Sequence, residues 1–185
     1  MTKKITTQGL RKFNIIMGFL HLTQAVLVLL LSTNFLLPIS GNYLAFNTTS
    51  ESLEPATKAL FNLSLPALII LFLFLSSVAH FVIATIYNKQ YNKDLGLGIN
   101  KARWIEYSLS ASVMMVAVAL LVGIYDSMSL LMIFVLVASM NLLGLVMEIH
   151  NLTTKKNKLG KFLGRLSYWY CSMDSYRLLY VARRS

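Results

Sequence analysis

The stretch Ala102–Ser112, ARWIEYSLSAS, decides how the chain is read. Glu106 stands at the start of an apolar run that extends from Trp104 to Ile124, and about 20 such residues are what a helix needs to cross a hydrocarbon core about 30 Å thick. An ionisable side chain inside such a span costs roughly 2.5 to 3.5 kcal/mol at mid-helix, and less toward an end. Glu106 therefore calls for a partner within the protein. His21 and His80, each on another apolar run, are the available candidates.

The composition around that stretch agrees. Of 185 residues, 56% are hydrophobic and 13% are charged, with a positive mean hydropathy. This excludes a soluble globular core and marks a multi-pass protein of the cell membrane, with lipids as its first partners. A net charge of +10 would suit nucleic acid, but the basic residues stand in loops and termini between the apolar runs. That is the positive-inside distribution, and nucleic acid is not expected as a partner. Cys171 is the only cysteine, so no intrachain disulfide forms. The basic start MTKKITTQGLRKF runs into a span with no small-residue cleavage site and reads as the beginning of a retained first helix.

Four apolar runs, about 13–37, 59–87, 104–124 and 128–147, predict an all-α integral membrane fold. In this reading residues 1–12 are a basic cytoplasmic N-terminus, 13–149 a four-helix transmembrane domain and 150–185 a basic cytoplasmic tail. Pro38 and Gly41 end the first span, and Pro66 kinks the second in its first third. Lys3, Lys4, Arg11 and Lys12 precede the first run, Lys89, Lys93, Lys101 and Arg103 separate the second and third, and Lys155, Lys156, Lys158, Lys161 and Arg165 follow the fourth. Basic residues at alternate ends put the N-terminus in the cytoplasm. The outer loop from Ile39 to Lys58 reads as a short hairpin or a flexible connection, and its Asn47-Thr48-Thr49 is a glycosylation pattern common by chance. The short turn from Tyr125 to Ser127 makes the third and fourth spans antiparallel neighbours.

Depth brings the polar residues together. His21 lies nine residues past Lys12, and His80 nine before Lys89 on a helix of opposite direction, so both sit roughly 13 Å from the same boundary. Glu106 is nearer that boundary, in the same half. Helical spacing puts Ser76 on the face of His80 and Ser110 on the face of Glu106. Two readings of these residues stand side by side. A buried acid with two histidines is the usual make-up of a proton or cation site; alternatively, each histidine bonds across a helix pair while Glu106 snorkels or pairs with Arg103. Thr23, Ser139 and Asn141 read as packing residues. The chain has no Gly-rich phosphate loop, paired cysteine ligands or nucleophile elbow, and the LGLG of Leu95–Gly98 is too short for a dinucleotide fingerprint, so no enzyme is expected.

The sequences RKFNIIMGFLHLTQAVLVLLLS (Arg11–Ser32), SSVAHF (Ser76–Phe81), ARWIEYSLSAS and ASMNLLGLVME (Ala138–Glu148) resemble heliorhodopsins, the retinal-binding membrane photoreceptors whose N-terminus faces the cytoplasm. The resemblance covers Leu10 to about His150. It implies the N-terminal part of a seven-helix rhodopsin-like bundle, retinal as cofactor, a homo-oligomer of the dimeric kind, and a role as a light sensor or light-modulated partner of other membrane proteins, the signalling partner being unidentified. By position, Glu106 resembles the counterion of the protonated retinal Schiff base. His21, Ser76, His80 and Ser110 resemble the polar cluster around it, and Tyr107 and Met140 resemble retinal-pocket residues.

From about Lys158 onward the chain, KLGKFLGRLSYWYCSMDSYRLLYVARRS, is basic, has no apolar stretch long enough to span, and no longer resembles the family. The lysine to which family members attach retinal, on their last helix, is missing. The expectation is a truncated heliorhodopsin that is not photoactive alone. Trp169–Val181 can be back-translated with allowed codons so that the frame one base later reads GIVPWIVIAYYM, similar to the start of the family's fifth helix, which suggests a frameshift product. The same tail also reads as an amphipathic segment for an anionic leaflet. Two other readings of the whole chain remain: a small proton- or cation-handling membrane protein using Glu106 with His21 and His80, and a structural membrane subunit.

Overall fold

Caps and proline decide where each apolar run becomes helix. The computed structural model describes residues 7–153. In chain order these form α1 (Thr7–Leu31), β1 (Leu36–Asn47), β2 (Ser52–Ser64), α2 (Leu65–Ala84), α3 (Asn88–Gly96), α4 (Lys101–Leu121) and α5 (Ser127–Thr153). Four of them, α1, α2, α4 and α5, are long and apolar enough to cross a membrane, so the protein is a multi-pass, mostly helical membrane protein. The chain divides into two compact units, Met1–Leu145 and Val146–Ser185, and the described part of the second is the end of α5. The alternate-frame and leaflet-binding readings of the tail lie outside the described residues.

The boundaries differ from the apolar runs where strand pairing intervenes. The first helix ends at Leu31 and not near Leu37, because Leu36–Asn47 pairs antiparallel with Ser52–Ser64 and makes its backbone bonds across a ladder. Pro38 and Gly41 thus lie inside β1, opposite Asn62 and Lys58, and do not end a span. The hairpin is longer at both ends than the Ile39–Lys58 loop. The second helix begins at Leu65, not near Ala59. Ser64 caps it, Oγ accepting from Ala67 N at 3.4 Å, and Pro66 falls in the first turn rather than a third of the way along, where a missing N–H breaks no helical bond. That helix stops at Ala84 rather than Tyr87, and Arg11 Nε donates to the Ala84 carbonyl at 2.9 Å, a cation on a helix C-terminus. The third begins earlier, at Lys101, with Asn100 Oδ1 accepting from Arg103 N at 3.2 Å. Its last turn closes at Leu121, followed by Gly123 at φ 91°, a conformation that suits glycine.

The hairpin clasps the turn between α4 and α5. Ser40 N donates to Tyr125 O at 2.9 Å and Asn42 Nδ2 to Asp126 Oδ1 at 3.1 Å. Asp126 Oδ2 in turn accepts from both N and Oγ of Ser129 at 2.8 Å, which starts α5. Beneath this clasp lies the main apolar cluster, built from Leu37 and Ile39 of β1, Leu65 of α2, Val116 and Leu120 of α4 and Leu130 of α5.

Small residues set the helix spacings. A Cβ on Gly18 of α1 would stand 3.0 Å from the Phe81 ring of α2, and Ser77 Oγ donates to the Gly18 carbonyl at 2.8 Å. On α5, a Cβ at Gly144 would come within 2.5 Å of the Trp104 ring of α4. At the basic end, Asp94 of α3 ties that helix to its own N-cap residue and to the start of α4. This buried carboxylate accepts from Tyr87 Oη at 2.8 Å and Gln90 Nε2 at 2.9 Å, and Lys101 Nζ stands 3.5 Å from it. Burial alone would raise its pKa, but the two hydrogen bonds and the Lys101 ammonium outweigh it and hold the carboxyl below its ordinary value.

Two outcomes follow from this packing. Gly144→Ala drives a methyl group into the Trp104 ring and costs about 1–3 kcal/mol, the usual range for overpacking, read as a lowered unfolding midpoint in detergent; an unchanged midpoint contradicts the packing. Asp94→Asn destabilises the protein at neutral pH. Because the folded carboxyl titrates below the unfolded one, its stabilisation is whole above the unfolded pKa and disappears as pH falls through the folded pKa. The gap between wild type and Asp94→Asn in pH-dependent melting therefore closes toward acid.

Candidate functional site

Starting α4 at Lys101 places Glu106 in its second turn, inside the span. Two hydroxyls meet its carboxylate. Ser110, one turn along the same helix, donates from Oγ at 2.7 Å, and Ser76 of α2 donates at 2.6 Å. Both bonds land on the same oxygen, Oε1. Ser110 is buried, while Ser76 and Glu106 are half-buried between α2 and α4. A charge removed from water is tolerated when hydrogen-bond donors replace the water, and hydrogen bonds to an ionised acceptor are the stronger kind.

One turn from Ser76, His80 turns toward α1. Its Nδ1 stands 2.8 Å from Asn14 Oδ1. Asn14 Nδ2 donates to Leu10 O at 2.9 Å, which fixes Oδ1 as the side facing the histidine. An amide oxygen only accepts, so His80 Nδ1 carries the proton of this bond. His21 stacks on His80, with ring centroids 5.6 Å apart and planes 17° from parallel, and its own Nδ1 reaches Gln24 Oε1 at 3.1 Å. A cavity of about 200 Å³ connects the groups: Asn14, His80, Tyr91, Arg103, Glu106 and Tyr107 are among its walls.

The structure thus brings Glu106, Ser76 and Ser110 into direct contact, and His21 and His80 into a stack beside them. It does not pair either imidazole with the carboxylate by a hydrogen bond, as the sequence suggested. The two serines take that place because one lies a turn away on the same helix and the other directly across from it. Tyr107 borders the cavity and is 46% exposed, whereas Met140, on α5, is 64% exposed and is not one of the cavity's walls. Asn14, Gln24 and Tyr91 were not singled out from sequence. For Asn14 the sequence held a signal: it precedes His21 by seven residues, which is two helical turns on one face; the structure buries it there.

The heliorhodopsin family profile matches residues 10–169, most of the chain. The match continues beyond His150 and Lys158, where the resemblance was expected to fade, and reaches Trp169. No curated protein matches the chain.

Ser76→Ala and Ser110→Ala each remove one donor from the same carboxylate oxygen, and each lowers the unfolding midpoint. Because the two bonds share an acceptor, a double-mutant cycle gives a coupling of about 0.5–3 kcal/mol. Strict additivity contradicts the shared acceptor.

Proposed function

The chain belongs to the heliorhodopsin family, and on that premise we propose that it is a retinal-binding, light-sensing membrane protein in which Glu106 is the counterion of a protonated retinal Schiff base. The observation that carries this reading is the Glu106 carboxylate inside a span, held at Oε1 by serines of two helices and facing a cavity shared with His80 and Tyr107. With both hydroxyls on one oxygen, the other is left for a cation. Retinal bound as a protonated imine supplies that positive charge and the visible absorption.

What these residues contribute is placement and charge. Ser76 and Ser110 orient the carboxylate, so that its position does not depend on solvent. His80, fixed by Asn14, presents its Nε2 edge rather than Nδ1 to whatever occupies the remaining space. The His21 stack backs that ring and keeps it upright. The lysine that carries the imine lies, in this family, on the seventh helix, so the four described spans provide the counterion side of the site. Arg11, Lys12, Lys89, Lys93, Lys101 and Arg103 gather at the end of the bundle where α1 starts and α3 lies, which supports an N-terminus in the cytoplasm.

The test combines the full chain with a fragment covering helices five to seven of another family member, in membranes supplied with all-trans retinal. A hydroxylamine-sensitive visible band that moves or disappears in Glu106→Gln is the expected result. An absorption maximum that is the same in Glu106→Gln contradicts the assignment of the counterion. Retinal-independent, pH-dependent flux in liposomes that needs Glu106 would instead favour proton handling by the same cluster, the reading that the His21–His80 stack carries.

A further inference from the structure

On the opposite side of α2 and α4 from the histidines lies a second hollow. It is a trough of about 370 Å³, walled by Leu75, Val78 and Val82 of α2 and by Ala102, Ile105 and Leu109 of α4. The spacing is the same on both helices, i, i+3 and i+7, so two parallel apolar ridges run alongside each other for roughly 10 Å. Val78, Val82, Ile105 and Leu109 are each 39–52% exposed, so the trough opens outward. Glu106 contributes to its floor, but the carboxylate oxygen Oε1 is engaged by Ser76 and Ser110.

At the basic end the trough meets Tyr87 and Lys101. Lys101 is the first residue of α4, and its side chain is 37% exposed. It stands 3.5 Å from Asp94, which already accepts from Tyr87 and Gln90, so the ammonium retains capacity for a second anion. The surrounding connection, residues 85–103, carries Lys89, Lys93, Lys101 and Arg103 against the single acid Asp94. An apolar trough that ends on a lysine in an excess of positive charge matches one kind of molecule by shape and sign.

We propose that this trough holds an acyl chain of an anionic glycerophospholipid, with the lipid phosphate on Lys101. The assignment rests on the protein spanning a membrane and is independent of retinal. A lipid places its phosphate in the headgroup layer where Lys101 already is, whereas a partner helix lying in the same trough would have to cover that ammonium. A chain seated there also closes the side of Glu106 that faces away from the histidines.

The experiment uses the full chain in nanodiscs of equal phosphatidylglycerol and phosphatidylcholine, released into mild detergent, with the retained lipids counted by native mass spectrometry. The wild type keeps phosphatidylglycerol in preference to phosphatidylcholine. Lys101→Gln lowers that preference about fivefold, the effect of one cation at a membrane surface, and Lys101→Arg keeps it. Val82→Trp fills the trough and lowers retention of both lipids. Asp94→Asn breaks the same tie to α3 but leaves Lys101 in place, and it keeps the preference. Equal retention of the two lipids by the wild type overturns the proposal. So does a preference that survives Lys101→Gln and Val82→Trp, or one lost to the same degree in Asp94→Asn.

Discussion

The hydrogen bonds from Ser76 and Ser110 to Glu106 are the constraint on which the arrangement of this bundle depends. Inside a bilayer no water is at hand to solvate a carboxylate, so donors must come from the protein. Meeting that demand across two helices sets the register of α2 against α4. With Ser76 facing α4, the next residue, about 100° further round, faces α1, and Ser77 bonds there to the Gly18 carbonyl. One turn on, His80 reaches Asn14 of the same helix. A single satisfied charge thus orients three helices, and a glycine permits the close approach that the second bond needs.

The ends of the bundle are organised by different means. At one end the hairpin ladder carries Leu37 and Ile39 over the apolar cluster and fastens the α4–α5 turn through Ser40 and Asn42. At the other, Arg11 meets the last carbonyl of α2, and Asp94 binds α3 to Lys101 at the start of α4. Among the described residues, polar bonding gathers where the chain leaves the apolar layer, and within the spans it includes the groups around Glu106, His80 and His21 and serines and asparagines that bond to backbone. The bonds around Glu106 therefore serve both the packing of the helices and the candidate chemistry.

Hydropathy made the four spans legible, because helices that cross a bilayer must be apolar over their whole length. It misplaced the boundaries that flank the hairpin because Leu36, Leu37 and Ile39, and Leu60, Phe61 and Leu63, are as apolar in a hairpin as they would be in a helix. The local chemistry that separates the cases was in the sequence: Pro38 and Pro55 in strands, and a Ser64 cap two residues ahead of Pro66. Helix α3 escaped notice because it is short and polar, and its order comes from side-chain bonds to Asp94. At the site, counting residues from the basic ends put His21 and His80 at one depth, where their rings stack, and spacing put Ser110 on the face of Glu106, to which it bonds; Ser76, expected on the face of His80, reaches Glu106 instead. Which partner would reach Glu106 first was not legible, since that depends on rotation of α2 about its axis. Asn14 was overlooked because an asparagine in a membrane helix serves packing as readily as a site.

The central claim is that Glu106 is held inside the membrane by serines of two helices. Magic-angle-spinning NMR of the full chain in lipid bilayers, labelled with 13C at Glu and Ser, measures this directly. The account predicts through-space cross-peaks from the Glu106 carboxyl carbon to the β-carbons of both Ser76 and Ser110. A carboxyl carbon close to lipid phosphorus and remote from Ser76 would contradict it.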